Sequence, residues 1–312
     1  MVIIAGCSSE SNSSDDRTKE SNDDSTAEVI NSDDGTPKQG GEAVIAYYTD
    51  ASSYDPILGG SGADHALLWP IYDTLISFNP ELEPQPGLAE SWDFPDDKTM
   101  VLHLREGVTF QDNTPFDAEA VKFNIERVNS EDSTVSDLKN VERVEVVDSL
   151  TVKLHLKQPD SSLLLALSDR GGMMVSPTAV KKYGEDFSQN PVGAGPYKMV
   201  KRIPNGEVEY EAYEGYWQEG KPYLDKLIVK IMSDENARIN ALKSGEIDYA
   251  DAISAGNIQS LENDSNIVLK DVLPVRIPII YINASMPPLD NKAVVRLAIL
   301  HGINRETLNE GI

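Results

Sequence analysis

The chain has 312 residues, one cysteine and a formal net charge of -25, from 27 Lys and Arg against 52 Asp and Glu. That charge opposes approach to nucleic acid or an anionic membrane surface, and a lone cysteine allows no intramolecular disulfide. The length suits about two domains of roughly 150 residues, and apolar runs such as VLPVRIPIIYI are interrupted well short of the ~18 residues that a spanning helix needs.

The first feature along the chain is VIIAGC, where Ile4, Ala5 and Gly6 set a branched aliphatic and two small residues directly before Cys7. This resembles the lipobox of bacterial lipoproteins, which implies cleavage before Cys7 and acylation of its thiol. Residues 1–7 then read as a truncated signal peptide. A basic n-region and most of the apolar h-region are missing from it, so the start of translation is expected upstream. Residues 8–40, rich in Ser, Asn and Asp, have too few apolar side chains to offset the entropy of ordering, and they predict a solvated acidic linker.

Order is expected from Gly41. EAVIAYYTD (42–50) reads as a buried strand, followed by the long polar loop SSYDPILGGSGAD, whose clustered glycines suit close backbone approach to a ligand. The spacing of Leu67, Leu68, Ile71, Tyr72 and Leu75 predicts an amphipathic helix from His65 to Ile76. Alternation in TMVLHLREG (99–107) and LTVKLHLKQ (150–158) predicts two half-buried antiparallel strands. Between them Asp117 is the expected N-cap of AEAVKFNIERV, with Val121, Ile125 and Val128 on its inner face.

Further on, NPVGAGPYKMV (190–200) predicts a turn feeding a strand, and YLDKLIVKIMSD (223–234) another strand. DENARINALKSGEIDYA (234–250) predicts a helix stopped by Gly245, then a strand from near Ile247. This alternation suggests a mixed α/β lobe. The two prolines of DVLPVRIPIIYINAS mark an expected exit to a second lobe, after which Asn291 caps KAVVRLAILHG and Asn304 opens another helix.

Catalytic signatures are missing. The four histidines, 65, 103, 155 and 301, form no His-Glu-x-x-His, and the sequence contains no Cys-x-x-Cys, nucleophile elbow, phosphate loop or dinucleotide fingerprint. No cofactor, no metal and no enzyme activity are expected, and a hydrolase reading lacks a nucleophile and base.

Five stretches, in order, resemble the family 5 extracellular solute-binding proteins of ABC transporters: LAESWDFPDDKTMVLHLREGVTFQDNTPFDAEAVKFNIERV (88–128), NPVGAGPYKMV, YEGYWQEGKPYLDKLIVKIMSD (213–234), NARINALKSGEIDYA and PLDNKAVVRLAILHGINRETL (288–308). The resemblance implies an α/β fold of the periplasmic-binding-protein-like type II, with two lobes around a cleft and the second lobe largely missing here. Lobe I would span 41–273, with a β-rich subdomain at about 77–190, and 274–312 would begin lobe II.

The implied function is capture of a small peptide, di-, oligo- or glutathione-like, for delivery to an ABC permease and its ATPase. The protein would be a monomer anchored by lipid to the outer face of the bacterial cell membrane, in the periplasm-equivalent space. A nickel or other metal chelate is the alternative ligand, and surface peptide sensing without transport is the alternative role. In the family the loop after the first strand faces the cleft, which puts Ser53, Tyr54, Gly60, Ser61 and His65 near the ligand. Arg170, in LSDRGGMMVSP, falls where relatives bring a basic or aromatic group, and a guanidinium there could grip a carboxylate. With one wall of the cleft, the 312-residue chain is expected to bind solute weakly or not at all, and a full-length version with measurable affinity.

Overall fold

Short β-branched and aromatic runs, punctuated by Gly, Pro, Asn and Asp, set the architecture. The computed structural model describes residues 37–59, 62–262, 264–270, 282–287, 289–290, 292–305 and 307. Gln39–Ile312 forms one compact unit, and Met1–Lys38 is a second unit of which only Pro37 and Lys38 are described. In chain order the elements are β1 (Glu42–Tyr47), α1 (His65–Leu68), β2 (Ile76–Phe78), β3 (Pro84–Pro86), β4 (Ala89–Asp96), β5 (Thr99–Leu104), α2 (Ala118–Val128), β6 (Val141–Asp148) and β7 (Thr151–Leu156). They continue with α3 (Leu163–Ala166), α4 (Pro177–Tyr183), β8 (Tyr197–Ile203), β9 (Glu207–Ala212), β10 (Lys226–Ile231), α5 (Glu235–Ser244), β11 (Tyr249–Ala250), α6 (Ala255–Ile258) and α7 (Ala293–Gly302).

One sheet has the order β11-β1-β10-β9-β8, with β1 parallel to both β10 and β11, and β9 antiparallel to β8 and β10. A second, antiparallel sheet runs β4-β5-β7-β6, and β2 pairs with β3. β1 and β10 lie side by side although most of the molecule separates them in sequence. Everything between is therefore an excursion that must return to the first sheet.

The antiparallel sheet is built as its alternation predicts. Met100, Leu102 and Leu104 on β5 and Val152, Leu154 and Leu156 on β7 enter one core, against Val121, Ile125 and Val128 of α2. On the outer face, His103 pairs with Asp93 at 3.0 Å and His155 with Glu145 at 2.9 Å. The Asp117 carboxylate accepts the Ala120 N–H at 2.9 Å and so starts α2. Asp234 does the same for α5 through Ala237 at 2.8 Å, and Gly245, at φ 74°, ends it in the left-handed region. The hydroxyl of Ser176 caps α4 with Pro177 in its first turn.

A second core lies under the first sheet, where Leu67, Leu68, Ile71 and Tyr72 meet Val208, Tyr210 and Val229. The turn at 193–195 fits into it only as glycine. A Cβ at Gly193 would stand 2.2 Å from the Ile71 carbonyl oxygen, and one at Gly195 would stand 2.5 Å from the Ile71 carbonyl carbon. Gln111 fastens this junction: its side-chain amide donates to the carbonyls of Ile71 (2.9 Å), Gly195 (3.1 Å) and Tyr197 (2.7 Å) and accepts from the Gly193 N–H (3.1 Å).

Several boundaries differ from the sequence reading, among them that of the strand expected at 223–234, which runs only from Lys226 to Ile231. The helix expected from His65 to Ile76 stops at Leu68, because Pro70 lacks an N–H and the Ile71 carbonyl is taken by Gly195 N–H and Gln111. All five of its predicted apolar residues are nevertheless buried. β1 ends at Tyr47 rather than Asp50, and only Ala46 of it is fully buried. Ile247 is a core residue that precedes β11 instead of starting it. The expected Asn291 cap and most of the interlobe segment at 271–285 lie outside the described residues. Asn304 does open a turn, accepting the Thr307 N–H at 3.1 Å. Among the described residues no helix is long and apolar enough to cross a membrane.

Candidate functional site

The parallel pairing of β1 with β10 and β11 puts the carboxyl ends of all three strands at one edge of the sheet. In open α/β sheets that edge is where ligands bind, outside the strand ends. The longest connection there is the segment from Tyr48 to Asp64, directly after β1.

Side chains from distant parts of the chain fix this loop in place. Asp50 accepts from Arg202 at 2.8 Å, from the Asn205 N–H at 2.9 Å and from the Tyr54 hydroxyl at 3.2 Å. Both carboxylate oxygens of Asp55 are held by Arg127, whose guanidinium also lies 5.5 Å from the centre of the Phe187 ring. Asp64 accepts the Ser52 N–H at 3.0 Å and its hydroxyl at 2.7 Å, closing the loop on itself. Gly59 is a close-approach glycine, since a Cβ there would sit 2.8 Å from Asp64 Oδ2 and 3.1 Å from Arg170.

The expected site residues separate into two groups. Ser53 and Tyr54 are buried. Ser53 Oγ lies 3.0 Å from Ser188 Oγ, and the Tyr54 N–H donates to the same Ser188 oxygen at 3.0 Å. The Tyr54 carbonyl accepts the Tyr72 hydroxyl at 2.7 Å, and its ring stacks under Arg202 at 4.7 Å. Burial drives the Tyr54 phenol well above its ordinary range, with the negative charge of Asp50 adding to it and Arg202 opposing. In this conformation Tyr54 is a core residue of the loop.

His65 and Arg170 form the other group, both half-buried. His65 Nδ1 lies 3.1 Å from Asp169 Oδ1, and Arg170 donates to the carbonyl of Gly59. Leu58 and Trp69, 44% and 42% exposed, flank them, so apolar surface beside charged groups faces solvent here. Gly60, Ser61 and Cys7 lie outside the described residues.

Sequence reasoning missed Arg127, Thr134, Ser188 and Asp169. Arg127, Ser188 and Thr134, whose hydroxyl lies 2.7 Å from the Gly59 carbonyl oxygen, act on the loop from far along the chain. Asp169 acts on His65 just after it, and no local motif announces any of them. Among the described residues no group of three or more His, Cys, Asp or Glu side chains is placed to hold a metal. A shallow groove of about 410 Å3 between α2 and α4, lined by Asp117, Phe123, Pro177 and Lys181, includes none of the loop residues.

A mixed α/β unit with an antiparallel sheet inserted between β1 and β10 has the fold of the periplasmic-binding-protein-like type II class, as its match to solved structures of that class shows. The model for bacterial extracellular solute-binding proteins, family 5 (middle region), matches residues 83–312, and the chain belongs to that family. It is 33% identical over 271 residues to the glutathione-binding protein GsiB of Salmonella paratyphi A, covering 86% of this chain and 53% of GsiB.

Among solved structures it matches MoaA from A. tumefaciens R10, in complex with mannopinic acid, at TM-score 0.79 and 29% identity, over 88% of this chain and 57% of MoaA. It also matches DppA of Helicobacter pylori, in complex with the peptide STSA, at TM-score 0.68 and 28% identity, over 74% of this chain and 50% of DppA. The chain thus spans about half the length of the curated relatives it matches.

Proposed function

We propose that this protein is the substrate-binding component of an ABC importer, capturing a small peptide of the glutathione or dipeptide type and presenting it to a membrane permease. One observation carries the reading: residues 48–59 of the connection after β1 stand preformed at the carboxyl edge of the parallel strands, their buried carboxylates matched by Arg127 and Arg202 and the Tyr54 N–H by Ser188. A wall already ordered before the ligand arrives loses little further conformational freedom on binding. Family membership, and the peptide ligands named for GsiB and DppA, support the ligand class.

In this reading His65, Asp169 and Arg170 face the solute, together with Gly60 and Ser61. Ser53 and Tyr54 support the loop from behind. Arg170 keeps guanidinium donors beyond the one used on Gly59, enough to meet a carboxylate. Cys7 is the acylated anchor, residues 8–40 are the tether, and binding rather than catalysis is the protein's work. Residues 41–273 form lobe I, including the β-rich subdomain, and 274–312 open lobe II.

Calorimetry on the complete gene product with glutathione, dialanine, longer peptides and nickel-histidine tests the ligand class. Saturable heat with a peptide is expected. Response to nickel-histidine alone would replace the peptide reading with the chelate one. Labelled palmitate is expected on Cys7 in the host, and its failure to appear there would remove the anchor.

A further inference from the structure

We propose that Thr134 is a positioning residue for the ligand wall, holding the carbonyl edge of the loop after β1; the inference rests on the reading of that loop as the wall. Thr134 is an exposed residue that follows α2 in the segment leading to β6. Its N–H nevertheless donates to the Ile57 carbonyl at 2.8 Å, and its hydroxyl lies 2.7 Å from the Gly59 carbonyl and 3.0 Å from that of Ile57. Arg170 donates to the same Gly59 carbonyl. One carbonyl oxygen at the tip of the loop is therefore gripped by donors from two separate segments.

The geometry makes the loop dependent on this grip. Between Asp55 and Gly59 the backbone turns tightly, with Leu58 N–H on the Asp55 carbonyl at 3.0 Å, and Asp55 itself is fixed by Arg127. Ile57 and Gly59 are the next points at which a side chain from elsewhere holds the main chain, and beyond them Asp64 ties back to Ser52. Loosening Gly59 frees the stretch that carries exposed Leu58 toward solvent and that sets where Arg170 points. A hydroxyl on an exposed residue contributes little to the core, so its removal separates loop order from global stability.

The test compares Thr134→Val, nearly the same shape without the hydroxyl, with Thr134→Ser, which restores it. Amide hydrogen exchange at Leu58, the denaturation midpoint, and calorimetry with glutathione and dialanine are the readouts. In Thr134→Val, exchange at Leu58 is expected to rise by about fivefold or more, the factor equivalent to one hydrogen bond. The denaturation midpoint should barely move, peptide affinity should fall by a similar factor, and Thr134→Ser should recover both. Unchanged exchange at Leu58 overturns the proposal, as does faster exchange with peptide affinity unaltered. All three proteins are made as the complete gene product; if the unsubstituted one binds neither peptide, the ligand reading has failed, and the exchange comparison alone decides whether Thr134 holds the loop.

Discussion

Arg127 grips both carboxylate oxygens of Asp55 across 72 positions of sequence, with the Asp55 side chain 3% exposed and that of Arg127 16%. The pair joins the end of α2 to the loop after β1, so the core of the antiparallel sheet and the candidate ligand wall share one fastening. Removing one partner leaves the other charge buried without compensation, which is costlier than never having had the pair.

Arg127→Ala or Asp55→Ala is therefore expected to destabilise the protein by about 3–5 kcal/mol in urea denaturation. The double variant Asp55→Leu/Arg127→Met should recover part of that loss, because no uncompensated charge remains. Equal stability of the single variants and the parent would show that the pair is not buried in solution.

Gly172 is the tightest of the close-approach glycines: a Cβ there would stand 1.8 Å from the Leu167 carbonyl oxygen, a backbone atom that cannot swing aside. Gly172→Ala should cost more than about 3 kcal/mol, or prevent folding altogether. Gly107→Asn is the matched control, since that glycine has open space around its missing Cβ and a left-handed φ of 77° that asparagine tolerates. Soluble yield and thermal unfolding of the two variants check the contrast.

Asp73 is held above its ordinary carboxylate value of 3.8 mainly by burial, against the opposing hydrogen bonds from Trp217 Nε1 at 2.5 Å and the Tyr216 hydroxyl at 2.9 Å. Well below that value the group is neutral folded and unfolded and has no pH effect. As pH rises, the unfolded chain ionises first, so this residue's contribution to stability falls until the folded group has ionised as well. Asp73→Asn keeps an oxygen for both donors and does not titrate. The stability of the parent relative to Asp73→Asn should therefore decline from pH ~4 upward and then level off. A difference that stays flat with pH would contradict the raised value.

Arg238 is 3% exposed, and its hydrogen-bond partners are carbonyls: Met232 at 2.7 Å, Ser233 at 3.2 Å, Asp251 at 3.3 Å and Ala252 at 2.9 Å. It ties α5 to the segment after β11, where Ala252 is in the left-handed region at φ 53°. Arg238→Lys keeps the charge but cannot span both sides at once with a planar fork. It is expected to lose about 2 kcal/mol and to speed proteolytic cleavage near Ala252, while Arg238→Ala loses more. Cleavage at the parental rate in Arg238→Lys would show that the fork is not needed there.

Much of the fold is legible locally. The alternation in 99–104 and 151–156, the Asp117 cap and the Gly245 stop each depend on neighbours within one turn or one pleat, and each is found where the pattern puts it. The helix after His65 is the counter-example. Its apolar spacing correctly marks which side chains are buried, but the backbone path past Leu68 is set by Pro70 and by Gln111, Gly193 and Gly195, which lie far along the chain.

The sequence by itself determined a mixed α/β lobe and the position of the loop that follows the first strand, because those follow from periodicity and short-range turn chemistry, and five matching stretches carried the family resemblance. Only the tertiary structure decided what the loop's side chains do. An aromatic such as Tyr54 reads alike whether it faces a ligand or the core, and only the packing of Ser188, Tyr72 and Arg202 around it shows that it is buried. Thr134, Asp169 and Arg127 carry no motif at all. Hydrogen bonds and ion pairs act over a few ångströms of space, whatever the separation along the chain, so their partners become readable only once the chain has brought them together.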